Sequence, residues 1–475
     1  MPLIATLLLL PLLSQPVQNP QAQQPETLRN APYPIFETDK ISNSEYRERR
    51  EKVMAKMAPG SIAVFLTNPT RNRNNDVDFE FRGDSNFLYL TGFEEPNAAL
   101  ILIPDGVDFK GQKVREVLFV DEPNATALAW TGYRMGSKNV PTMLGIQAAA
   151  SNAEFESSLV QLAAGASAKK IVLEGPPNAT GNILGWATTV NKFITDNGFT
   201  PGERLRPVVR EMRAIKSPAE IVLLKKVAEI SAHGHVEAMR SIEPGMREWE
   251  IGALVKYLFG REGCEYTGYP PICGSGANST ILHYETNRGP IKNGDIMCMD
   301  TAGEFHGYSA DVTRSFPANG KYSKEQRAIY DIVKRAQDVG IDSCRPGATR
   351  PEIEAKVSAE LTKGLIALGI IKDQSELRTY YMHGFGHGIG LDVHDPLPPT
   401  LQPGACLTVE PGIYIKEGSP CDKKWWNIGI RIEDDILVTD GAPVNTSATA
   451  PRDPDRIEKV MAEKGIGNMP FKNAS

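Results

Sequence analysis

Five residues in the last third of the chain have the chemistry of metal ligands: Asp300, Asp311, His387, Glu410 and Glu433. Each stands beside a strand-like run or a Gly-rich turn that can aim it at a common point. Four oxygen donors and one imidazole suit a pair of divalent cations of the manganese kind, whereas a structural zinc would favour Cys and His. Convergence of the five would make a two-metal hydrolase. Period-two alternation puts Asp300 on the face of Ile296 and Cys298. Asp311 follows after a stretch long enough for a hairpin between Gly303 and Gly307 to return a second strand. Arg431 and Glu433 share one strand face while Ile430 and Ile432 share the other. Arg431 is therefore expected to orient that carboxylate or a neighbouring ligand. His383 and His387 stand at i, i+4, but the alternating glycines 384, 386, 388 and 390 disfavour a helix. They favour extended backbone that approaches a site closely. His283, His383, His387 and His394, four of the seven histidines, fall among the carboxylate motifs, which favours function over isolated structural roles.

These residues need elements to hold them. Between about 46 and 205, short apolar runs alternate with amphipathic stretches. Residues 61–66, 87–90, 98–103, 117–120 and 170–173 read as strands, and 143–164 and 183–197 as helices. That is an α/β domain with its own core. A boundary follows near Pro207, and Ser217, Pro218 and Glu220 make a capping-box helix start. The second half carries an internal repeat: Pro244-Gly245 with Glu250 and Ile251 matches Pro346-Gly347 with Glu352 and Ile353. Gly294 then precedes Asp300 by the same spacing as Gly404 precedes Glu410. Two such halves about a pseudo-dyad would bring both strand ends to the midline.

At 475 residues the chain is expected to hold two domains, and 41% apolar and 23% charged residues describe a globular protein. A net charge of −6 without dense Lys/Arg runs argues against a nucleic-acid surface. Six Cys without CxxC pairs read as buried thiols. Leu3 to Leu13 is an apolar run of signal-peptide length, too short to span a bilayer, and a Gln/Pro-rich tail follows to Pro25. Export to the periplasm or beyond is the expectation, with a cytoplasmic location as the alternative. No other segment reads as membrane-spanning. Asn-x-Ser/Thr triplets at Asn124, Asn178, Asn278, Asn445 and Asn473 matter only on a eukaryotic secretory route.

The motifs together resemble a known family. The runs 281–284 (Ile-Leu-His-Tyr), 299–303 (Met-Asp-Thr-Ala-Gly), 307–316, 383–395 ending in Asp-Val-His-Asp, 408–414 (Thr-Val-Glu-Pro-Gly-Ile-Tyr) and 429–435 (Gly-Ile-Arg-Ile-Glu-Asp-Asp) look like the motif set of Xaa-Pro aminopeptidases, or aminopeptidase P. Residues 81–93 look like that family's N-terminal domain, and the resemblance spans about 46 to 460. It implies an α/β (α+β) protein: a signal and tail over 1–25, an N-terminal α/β domain over 40–206, and a pseudo-two-fold pita-bread domain of the creatinase/aminopeptidase type over 207–465. It implies two divalent ions, best matched by Mn²⁺, with Asp311 and Glu433 bridging, Asp300 on one ion, and His387 and Glu410 on the other. A water shared by the ions would be the nucleophile, with Glu410 passing a proton to the leaving nitrogen. His283, His383 and His394 match histidines that contact substrate and intermediate, Tyr269 and Arg431 match residues about the proline pocket, and Tyr414 sits near the metals. The implied substrates are peptides with proline in second position, and the implied assembly is a homo-oligomer. An Xaa-Pro dipeptidase (prolidase) and a non-catalytic peptide-binding pita-bread protein are the alternatives. The 81–93 segment and the Asp-Val-His-Asp run weigh against a methionine aminopeptidase.

Overall fold

The computed structural model describes residues 34–176 and 180–468. The apolar run 3–13, the tail to Pro25, Asn178 and Asn473 lie outside the described residues. The N-terminal part is built on a mixed six-stranded sheet. Ser61–Leu66 lies at its middle, antiparallel to Ala99–Phe109 and parallel to Lys170–Glu174. All six residues of that strand are buried, as a strand covered on both faces requires. The expected strands at 61–66, 98–103, 117–120 and 170–173 all form, as does the helix over Gly181–Asp196.

Two expectations in this part are corrected. Residues 87–90 are helical, within Ser85–Thr91, because Asp84 caps the N-terminus and Gly92 closes it at φ +66°. The run is apolar because Phe87 to Thr91 are all buried there, not because it is a strand. The single helix expected over 143–164 is broken. Gly136–Leu144 stops at Gly145 (φ +63°), Ala148–Ser151 becomes a sheet-edge strand parallel to Gln112–Val120, and a helix resumes at Phe155–Gly165. The alanines of 148–150 favour a helix by propensity, but pairing with a buried strand overrides it.

In the second half, the helix Pro218–Ser241 starts on the expected capping box, with Ser217 Oγ accepting from the Glu220 N–H and Glu220 accepting from the Ser217 N–H. The repeat is realised in matching backbone hydrogen bonds at its two turns. Gly245 (φ +104°) donates to the Ile291 carbonyl and Ile291 donates back to Met246. Gly347 (φ +90°) donates to Leu401, and Leu401 donates back to Ala348. Each turn feeds a helix, Glu248–Arg261 or Arg350–Ala367, and each is followed by a strand opened by a left-handed glycine (Gly294, Gly404). Those strands are Ile296–Asp300, which ends on a carboxylate, and Cys406–Val409, which stops one residue before Glu410. The halves meet where the Glu433 N–H donates to the Thr313 carbonyl. All six cysteines are free thiols and five are buried. No described helix is long and apolar enough to cross a membrane.

The N-terminal part grips the turn that carries His394. Arg82 donates to the Leu391 and Gly307 carbonyls and pairs with Glu304. Ser85 donates to Asp392. Buried Arg213 reaches Asn86, Asp392 and Asp395.

Candidate metal centre and active site

The five proposed ligands meet. Asp300, Asp311, His387, Glu410 and Glu433 all line one cavity of about 530 Å³, together with Tyr269, His283, His383, His394 and Arg431. Ligand atoms of Asp311, His387 and Glu433 lie within 4.8 Å of one another. His387 Nε2 stands 3.4 Å from both Asp311 Oδ2 and Glu410 Oε1. Its Nδ1 is 3.0 Å from the Gly388 carbonyl, which can only accept. A ring hydrogen therefore sits on Nδ1, so that Nε2 is the nitrogen that would ligate a cation once its own proton is displaced.

Period-two geometry also explains the supports. Asp300 ends its strand opposite Thr313, whose strand Thr313–Pro317 returns antiparallel as expected, with Asp311 just before it. Thr313 Oγ1 donates to Glu433 (2.6 Å), and Thr408 Oγ1 donates to Glu410 (3.2 Å). Asp435 accepts the Asp311 N–H (3.1 Å). Glu354 accepts the Phe385 N–H (2.7 Å), fixing the glycine-rich run. The glycines there serve close approach: a Cβ on Gly386 would strike the Thr408 carbonyl, and one on Gly388 would strike that of Asp395.

Arg431 orients a neighbouring ligand, Asp300 (2.6 Å), and also donates to the Tyr414 hydroxyl (2.9 Å) and Thr313 (3.1 Å). The Tyr414 hydroxyl in turn lies 2.8 Å from His383 Nε2, so Asp300, Arg431, Tyr414 and His383 form one connected rail. Burial, the Arg431 charge and further neighbours hold the His383 pKa down at about 4, so that ring stays neutral. The His394 ring stacks on His387 with centroids 3.8 Å apart. Both His283 and His394 are exposed at the cavity.

Four carboxylates buried together cannot all stay anionic unaided. Burial and repulsion from Asp300 raise Asp311, and burial and three neighbouring carboxylates raise Glu433 further. Burial pushes Glu410 up to about 7 despite His387, and His387 is raised to about 9 by Asp311 and Glu410 against its own desolvation. Tyr269 lies 2.5 Å from Asp300 and 2.6 Å from Asp311, yet a phenol has one hydrogen to donate. The second short contact needs another proton. Such a cluster calls for positive charge at its centre, and its oxygen-rich composition fits hard divalent ions.

A model of metallopeptidase family M24 matches residues 222–440, and a model of the aminopeptidase P N-terminal domain matches 46–172. The Xaa-Pro aminopeptidase of Escherichia coli K12 is 37% identical over 89% of this chain and 98% of that one. The chain belongs to the M24 metallopeptidases. Its M24 relatives include the human Xaa-Pro aminopeptidase 3, 31% identical over 90% of this chain and 87% of that one. Among solved structures, aminopeptidase P from E. coli with the inhibitor Pro-Leu superimposes with a TM-score of 0.82 at 36% identity, covering 89% of this chain and 99% of that one. The pita-bread architecture is thus shared with these M24 enzymes along with the family.

The structure brings all five candidate ligands to one cavity, with Arg431 on Asp300, but several supporting residues carried weaker signals in the sequence. Thr313 and Thr408 each lie two residues from a ligand, so strand alternation would have found them. Glu354, and Arg350 which lines the cavity, carried no such signal, because they sit on a helix remote in sequence from the glycine-rich run they bond.

Proposed function

We propose that the protein hydrolyses the bond between an N-terminal residue and a following proline, with the aid of two divalent ions. Mn²⁺ matches a mainly carboxylate ligand set best. The observation that carries this reading is the convergence of four carboxylates and one imidazole in a single cavity. Bound between those ligands, the ions would supply Lewis acidity and draw the pKa of a water toward neutrality.

The protein's own groups do the rest. Asp311, Glu433, Asp300, His387 and Glu410 would hold the ions. Glu410, a cavity carboxylate, would take the proton of the attacking water and return it to the prolyl nitrogen. That nitrogen leaves poorly until protonated. His283 and His394 line the cavity where they would meet the substrate backbone, and the bonds Arg431–Tyr414–His383 would hold His383 in place. Ile272, Leu282 and Val393 give the cavity an apolar side suited to a pyrrolidine ring.

The test is a Mn²⁺-supplemented assay comparing Xaa-Pro, Xaa-Pro-Yaa and Xaa-Ala-Yaa peptides. Cleavage of the tripeptide before proline, with the alanine analogue poor, is the expected result. Activity on Xaa-Pro alone would make the protein a dipeptidase, and equal rates on the alanine analogue would end the claim of proline selectivity. Binding of peptides without cleavage would favour a non-catalytic protein. Export by residues 1–25 and homo-oligomerisation are part of the same proposal, tested by N-terminal sequencing of the mature protein and by sedimentation.

A further inference from the structure

The two halves of the catalytic domain use one repeat position in opposite ways. Glu248 and Arg350 each stand three residues after the left-handed glycine of their repeat, at the first residue of the helix that follows. Glu248 is fully buried and wholly engaged. Its oxygens accept from the Ser275 N–H and hydroxyl, Asn278, Tyr284 and the Gly289 N–H, all at 2.6–2.9 Å. Arg350 is exposed, lines the catalytic cavity, and makes one hydrogen bond, from Nη2 to the Gly386 carbonyl at 2.8 Å. No carboxylate among the described residues pairs with it. Four of its five N–H groups are therefore available, in the planar fork that matches a carboxylate.

Its position is defined by the groups around it. Gly386 directly precedes the ligand His387, so the guanidinium hangs beside the metal centre. It shares the cavity with His283 and His394. The other guanidinium of the cavity, Arg431, is committed to Asp300, Tyr414, Thr313 and the Leu282 carbonyl. Arg350 is thus the cavity cation left to meet a ligand.

We propose that Arg350 is a specificity residue that binds the free C-terminal carboxylate of short proline-containing peptides, so that the enzyme prefers small peptide acids to longer or capped chains. This rests on the hydrolase reading above and deepens it by naming a substrate class. One carboxylate held by a charge-assisted pair of hydrogen bonds is expected to change selectivity about ten-fold.

The experiment uses the full-length Mn²⁺-loaded enzyme and compares free acids with C-terminal amides of Ala-Pro, Ala-Pro-Ala and Ala-Pro-Ala-Ala. The wild type is expected to favour the acid about ten-fold in kcat/KM at the length whose terminus reaches Arg350. In Arg350→Ala that acid-to-amide ratio should fall toward one, through KM rather than kcat. Arg350→Lys, which keeps charge but not the fork, should retain part of it. Equal rates on acids and amides at every length in the wild type would overturn the proposal. So would an Arg350→Ala enzyme slowed equally on both, since that is the signature of a purely structural bond to Gly386. Cleavage of none of the six peptides would overturn the hydrolase reading, and this inference with it.

Discussion

Asp311 and Glu433 each face several partners in the cavity, so their loss differs in kind from the loss of His394. Asp311→Ala or Glu433→Ala should abolish activity, by three orders of magnitude or more on the order of typical metal-ligand effects, together with metal occupancy measured by elemental analysis. His394→Ala should lower turnover while both ions remain, because that ring stacks on a ligand and is not one. Loss of metal in His394→Ala would show the assignment to be wrong. Titration gives a second check at this scale. The carboxyls of Asp311 and Glu433 are raised, Glu410 stands at about 7 and His387 at about 9, so the cation-free site carries protons at neutral pH. Metal must displace them. Affinity should therefore rise with pH up to about 9, and calorimetry in buffers of different ionisation enthalpy should detect proton release at pH 7. A pH-independent affinity would contradict the buried cluster.

Glu248 governs an element. Its five hydrogen bonds hold the loop between Ser275 and Gly289, which carries His283 into the cavity. Glu248→Ala would leave several buried donors without partners and should destabilise the protein by about 3 kcal/mol or more, read by urea unfolding. Glu248→Gln keeps the volume and should cost less, with kcat lowered through His283. At this scale the sequence was most legible where a pattern is local. The Ser217 capping box, the paired Pro-Gly turns and the strand end at Asp300 all depend on residues within a few positions of each other. Residues 87–90 misled because burial makes a short helix as apolar as a strand, and only the Asp84 cap and Gly92 separate the two. Residues 148–151 misled because alanine carries a helical preference that says nothing of the strand waiting beside it. Glu248 and Arg350 were silent for a third reason: their roles are set by what the folded chain brings to them.

Across the whole molecule, the N-terminal part acts as a support for the catalytic turn. A second contact ties the two together through charge. His306, at φ +50°, lies 2.9 Å from Glu265 and from Asp39 of the N-terminal segment. Burial opposes its protonation, but the bonds to Glu265 and Asp39 outweigh it and raise its pKa. A raised folded pKa means the stabilisation is complete below the ordinary imidazole value near 6.5 and fades as pH rises through the folded one. The gap in melting temperature between wild type and His306→Ala should accordingly be largest at pH 5–6 and narrow toward alkaline pH. A constant gap would assign the contact to packing alone.

The unequal use of Glu248 and Arg350 has a consequence for how the site can be altered. A duplicated half-domain ordinarily binds both copies to the same constraint, since a change in one breaks the symmetry that packs it against the other. Here the burden is divided: Glu248 holds a buried loop through five hydrogen bonds, and Arg350 makes one bond at the cavity. A substitution at position 350 should therefore alter the cavity without disturbing the loop that Glu248 secures.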